Sequence, residues 1–161
     1  MIATGPRSGR YLYGFLLGLM LSLGSAWTLA ADLVIIANPG LEKGVINRSD
    51  LGNIFRRKLR LTATGQVLVP VNLPVSHPLR QAFTHQILGR SPQSMLDYWN
   101  EAYFHGTSPP YVLASQEAVI RFVSHTPGAV GYVLDCHLDK RVESLFRLPL
   151  PAALPQPACG R

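Results

Sequence analysis

Ser76, His77 and Arg80 are the residues in this chain whose types and spacing could hold an anion. They lie in the run Ser76-His77-Pro78-Leu79-Arg80, and proline is favoured at the first position of a helix, where its missing N–H costs nothing. A helix starting there presents free N–H groups and a partial positive charge. Ser76 adds a hydroxyl at or beside the cap, His77 a ring N–H, and Arg80 a guanidinium fork one turn in. Together they suit a small oxyanion. The competing reading has Ser76 only capping the helix and Arg80 as a solvated or ion-paired surface side chain.

Other candidate chemistry is sparser. His77, His85, His105, His125 and His137 form no His-x-x-x-His pair, so neither a metal nor a cofactor is expected. Asp97 and Glu101, four apart, read as a solvated helix face rather than an acid/base pair. No Gly-x-Ser-x-Gly elbow is present and neither cysteine sits in Cys-x-x-Cys, so no enzyme activity is expected. Trp99, Tyr103 and Phe104 could make an aromatic binding face, but helical spacing favours core packing.

The elements that must position these residues follow from pattern. Asp32 to Ala37 is a continuous apolar run, read as a buried strand that Asn38-Pro39-Gly40 ends. Ser49 is the expected N-cap of a helix with Leu51, Ile54 and Phe55 on one face. Arg56-Arg57-Lys58-Leu59-Arg60 follows, with charge that favours a helix C-terminus. Val67 to Asn72 is the second strand, in which Pro70 argues for an edge or end position. Helices follow from Pro78, from Pro92 and from a Ser115 cap. Met95, Leu96, Trp99 and Tyr103 supply the apolar positions of the second of these. Pro127-Gly128 then makes a tight turn, glycine supplying a positive φ, before the apolar run to Leu134. The order β-α-β-α-α-α-β predicts an α/β layer with a mostly parallel sheet flanked by helices.

Residues 1–30 carry Arg7 and Arg10, an uncharged apolar run from Tyr11 to Leu23, and small residues at Ala30 and Ala31. That build predicts a secretory signal peptide, cleaved near Ala30, since the run is short for a membrane span. An uncleaved anchor is the lesser alternative. The domain is placed at 31–148 and a Pro/Ala-rich tail at 149–161. The chain's formal net charge is +6; losing the leader's arginines leaves a modest basic excess. This suits an anion or plain solubility, and export argues against nucleic acid. An oxidising compartment would favour a Cys136–Cys159 disulfide over two free thiols.

Thr126-Pro127-Gly128-Ala129-Val130-Gly131-Tyr132-Val133 resembles the Thr-Pro-Gly-Ala-Ile-Gly-Tyr-Val segment of the substrate-binding proteins of phosphate ABC transporters, members of the type II periplasmic binding protein superfamily. Pro70-Val71-Asn72, Arg80-Gln81-Ala82-Phe83, Tyr98-Trp99 and the helix ending Ile54-Phe55 lie in the same order as in that family. The likeness is closer still to its short single-domain members. The resemblance implies a single periplasmic-binding-protein-like lobe, a phosphate-like ligand and an ABC permease partner. The family's binding loop reads approximately Arg-Ser-Asp-Gly-Ser-Gly-Thr. Here Asn72 to Pro78 takes its place, with Ser76 matching, Asn72 where the arginine stands and His77 in place of a glycine. Asn72 therefore joins Ser76, His77 and Arg80 as a candidate ligand residue. One lobe is half of a hinged site, which leaves a homodimer as one arrangement. The alternative function is an accessory or sensor module that binds a cell-envelope protein instead of a solute.

Overall fold

A computed structural model describes Met1, residues 31–42 and residues 44–150. The expected leader, almost all of the tail and Cys159 lie outside the described residues. Each element has a local cause. β1 (Asp32–Ala37) is the apolar run, buried from Leu33 onward. A single 3-10 turn at Arg48–Asp50 leads into α1 (Leu51–Phe55). Its start is set by a capping box between Asn47 and Asp50, the Asn47 N–H donating to Asp50 Oδ2 at 3.0 Å. Ser49 lies inside the turn and does not cap it.

β2 is Val69–Asn72. α2 (Pro78–Leu88) begins on Pro78 and stops at Gly89, whose φ of 60° reverses the chain. α3 (Pro92–Phe104) and α4 (Gln116–His125) start on Ser91 and Ser115, each hydroxyl accepting a backbone N–H at 3.2 Å. Between them lies the two-residue strand β3 (Tyr111–Val112). β4 (Ala129–Leu134) is buried along its whole length. Its entry turn requires glycine twice over: Gly128 has φ 72°, and a Cβ there would overlap the Val67 carbonyl oxygen.

A fifth strand, β5 (Glu143–Pro149), completes a sheet of order β3-β2-β4-β1-β5. β2 is parallel to β3 and β4, whereas β1 runs antiparallel to both β4 and β5. Four strands therefore point one way and β1 opposes them: the sheet is mixed but mostly parallel, as expected. β3 and β5 were not expected. Pro70 is not on an edge strand either. The Val69 N–H bonds to the Gly128 carbonyl at 2.9 Å, so the next nitrogen, that of Pro70, faces away from β4. On that side β3 begins to pair only at Val71, and the ladder loses nothing.

Helices cover both faces. On one, Gly131 lets α4 close in, and a Cβ there would come within 2.7 Å of Val119 Cγ1. On the other, alternation along β4 turns Tyr132 toward α1 and α2. Phe83 stacks on Tyr132 with centroids 4.2 Å apart, and Phe55 leans on Phe83 at 4.5 Å. α3 departs from its expected role: Met95 is its one fully buried residue, while Tyr103 and Phe104 are 68% and 87% exposed. Helical spacing defines a face but does not supply anything to cover it.

Candidate functional site

The carboxyl ends of β2 and β4 lie side by side, and the N-termini of α2 and α4 open onto the same end of the sheet. Two hydrogen bonds fix this arrangement. The Leu134 N–H donates to Gln116 Oε1 at 2.6 Å, tying the first turn of α4 to the end of β4. The Leu73 N–H donates to the Tyr132 hydroxyl at 3.3 Å, tying the loop after β2 to the same strand. A turn closed by the His77 N–H on the Pro74 carbonyl, at 2.9 Å, then aims the chain into α2.

The cap of α2 is His77, not Ser76. His77 Nδ1 accepts the Leu79 N–H at 3.1 Å, so a neutral ring carries its proton on Nε2, free to donate outward. Partial burial, and then the neighbouring His137, hold the His77 pKa below its ordinary value. Ser76 is exposed at the outer edge of the loop.

Arg80 is the unusual residue. It was expected as either an anion ligand or a surface side chain, yet it is only 6% exposed, and its Nη1 is buried with no hydrogen-bond partner. Among the described residues no carboxylate pairs with it. Desolvation lowers its pKa, with nearby Tyr132 opposing that shift. Tyr132 is itself pushed up to about 12 by burial, so it stays a neutral phenol. Its hydroxyl lies 3.4 Å from Asn72 Oδ1, placing Asn72 in the interior beside it rather than on an open surface.

The structure thus gathers His77 and Arg80 on α2 and links Arg80 through Tyr132 to Asn72, with Ser76 outside. Tyr132 and His137 are neighbours that sequence reasoning missed. The signal for Tyr132 was a lone phenol in an otherwise aliphatic strand. An exposed cluster flanks the site, in which Arg141 makes a two-point contact with Glu117 at 3.0 and 3.1 Å and meets Asp139 at 3.0 Å. It pins the loop after β4 to α4 and lowers both carboxyl pKa values. No group of three or more His, Cys, Asp or Glu suited to a metal occurs among the described residues.

No protein-family model and no curated protein sequence matches the chain. Solved structures do. An ABC-type phosphate transport receptor from Vibrio cholerae superposes with a TM-score of 0.56 at 21% identity, over 74% of this chain and 47% of that one. A protein from Clostridium perfringens, solved with phosphate bound and described as a phosphate ABC transporter substrate-binding protein, gives 0.57 at 16% identity, over 72% and 45%. PstS from Borrelia burgdorferi gives 0.54 at 15%, over 78% and 50%. The chain spans about half the length of the solved proteins it matches. At these identities the likeness is one of fold: the chain has the architecture of a single lobe of the phosphate ABC transporter substrate-binding proteins.

Proposed function

We propose that this lobe binds a small oxyanion of the phosphate class at the N-terminus of α2 and carries out no reaction on it. The observation that carries the reading is Arg80, a buried guanidinium with an unpartnered nitrogen in the first turn of α2, whose backbone N–H groups are already taken by His77. An uncompensated buried charge costs several kcal/mol, a cost that an arriving anion would offset. His77 Nε2–H and the Ser76 hydroxyl supply the outer contacts, while Asn72 acts through Tyr132. Phosphate-class chemistry is also supported by the fold neighbours, although Asn72 stands where the resembled family's binding loop has an arginine.

Titration calorimetry of residues 31–161 with phosphate and sulfate tests this. Binding that Arg80→Met weakens roughly a hundredfold is expected. Absence of heat at millimolar anion, or unchanged affinity in Arg80→Met, overturns it. Delivery to an ABC permease, export through the leader and the Cys136–Cys159 disulfide belong to the same reading. The last is tested by a gain in mass of two hydrogen atoms when the protein is reduced.

A second reading, an accessory or sensor module docking on an envelope protein, is favoured by the exposed Tyr103 and Phe104. Exposed Tyr111 on the edge strand adjoins Phe122, with ring centroids 6.0 Å apart, and is a further exposed apolar point. Cross-linking in envelope extract that captures a partner through Phe104, together with no anion binding, would select it.

A further inference from the structure

At the other end of β2 the chain builds a second basic feature, independent of Arg80. α1 ends at Phe55, and the two positions after it are Arg56 and Arg57. Arg57 has φ 60°, and it is the one non-glycine with a positive φ among the described residues. This is the position just past a helix cap where glycine is strongly preferred, because a Cβ strains the left-handed backbone. Glycine would serve the cap better, so the side chain at 57 has another reason to be arginine.

The strained turn has a geometric result. Arg56, Arg57 and Lys58 line one wall of a cavity of about 280 Å³, at the lower end of small-molecule sites. Tyr98, Glu101 and His105 of α3 and its C-terminal turn line the other. The walls are fixed to each other: the Tyr98 hydroxyl donates to the Arg56 carbonyl at 2.8 Å. Arg60 Nη2 donates to Thr107 Oγ1 at 2.9 Å and holds a fourth positive charge at the rim. Arg57 Nη1 reaches the Leu68 carbonyl at 3.4 Å, and Arg56 Nε is buried with no partner. Among the described residues none of these four cations is ion-paired, and Glu101 is the only acid lining the cavity. A five-residue helix has too small a dipole to require four positive charges at its C-terminus.

We infer that this cavity is a second anion site, which takes the phosphate-ester group of an organic molecule. Two arginines and a lysine match a dianionic phosphate. The Tyr98 ring and Ala102 give an organic portion an apolar wall, and Glu101 can accept a hydrogen bond from its hydroxyl. The same phosphomonoester occurs on soluble phosphate esters and on the headgroup of phosphatidic acid.

The test titrates the protein with sn-glycerol 3-phosphate and, separately, sediments it with vesicles of phosphatidic acid in phosphatidylcholine, using phosphatidylcholine vesicles as control. Saturable binding of the ester identifies a soluble ligand; selective sedimentation without ester binding identifies a headgroup. In either case Arg57→Gly is expected to weaken binding at least tenfold while leaving the thermal midpoint equal or higher, and Arg80→Met to leave it unchanged. Binding to neither probe, or full affinity in Arg57→Gly, overturns the inference. So does a loss of affinity in Arg80→Met equal to that in Arg57→Gly.

Discussion

Two arginines flank β2 and are kept there in opposite ways. Arg80 sits on ordinary helical backbone and loses its water, its guanidinium buried beside Tyr132. Arg57 keeps much of its water but sits on left-handed backbone. One site concentrates its cost in desolvation and the other in a dihedral angle. The difference matters for what each could hold. A single desolvated charge suits a small, fully dehydrated anion, whereas a fan of partly hydrated charges suits a larger molecule that stays half in solvent. The comparison also separates the two experimentally, because relieving the cost at either site should stabilise the fold.

Arg80→Met should show the largest effect. Losing a buried charge partner is worth about 3 kcal/mol to a bound anion, roughly a hundredfold in affinity. Urea unfolding should meanwhile show the variant at least as stable as the parent, because a buried charge has gone. A destabilised Arg80→Met would make Arg80 a structural residue and break the comparison. Tyr132→Phe comes next. It leaves the buried Leu73 N–H without its acceptor, and a loss of about 1–3 kcal/mol is expected from urea midpoints. Unchanged stability there would mean that Tyr132 does not anchor the loop at this site. Arg57→Gly should gain about 1 kcal/mol, the strain of a side chain in the left-handed region. Lower stability would show that Arg57 is kept for its contacts with the fold.

The smallest effect is in pH. His77 has a lowered pKa when folded, so below its ordinary value of about 6.5 the unfolded chain binds more protons than the folded one. Its contribution is complete above that pH and is lost as the pH falls through the lowered folded value. Parent protein should therefore lose slightly more stability between pH 7.5 and 5.5 than His77→Ser, in which a hydroxyl can cap α2 without titrating. Bound anion should shrink that difference, because it favours protonated His77. A difference that phosphate does not alter would place the anion away from this cap.

Much of the fold was legible because single devices announce it. The runs of β1 and β4, the proline starts of α2 and α3, and the positive φ of Gly128 are all local. β5 was missed because its burial is irregular, Leu148 alone among its residues being fully buried, so its sequence blends into the polar stretch before it. β3 is two residues long and carries no pattern. The direction of β1 could not be read, since an apolar run looks the same in either orientation. At the site, sequence supplied His77 and Arg80 but not their roles. Whether an arginine is buried depends on which helix face meets the sheet, and the Tyr132 phenol gains its meaning only from Asn72 and Leu73, some sixty positions earlier. Tyr103 and Phe104 show the reverse error, an apolar face that the described residues do not cover.

The place of β1 between β4 and β5 has a consequence in time. Leu33 pairs with Leu134 and Leu148, partners made roughly a hundred residues later, which takes about 5 to 20 s of synthesis. Until then the middle of the sheet cannot close, and pairings this distant in sequence also form slowly once the chain is complete. A nascent chain with this layout stays open and threadable for most of its synthesis. For a protein proposed to cross a membrane before it folds, the late closing of its first strand keeps it competent for that passage.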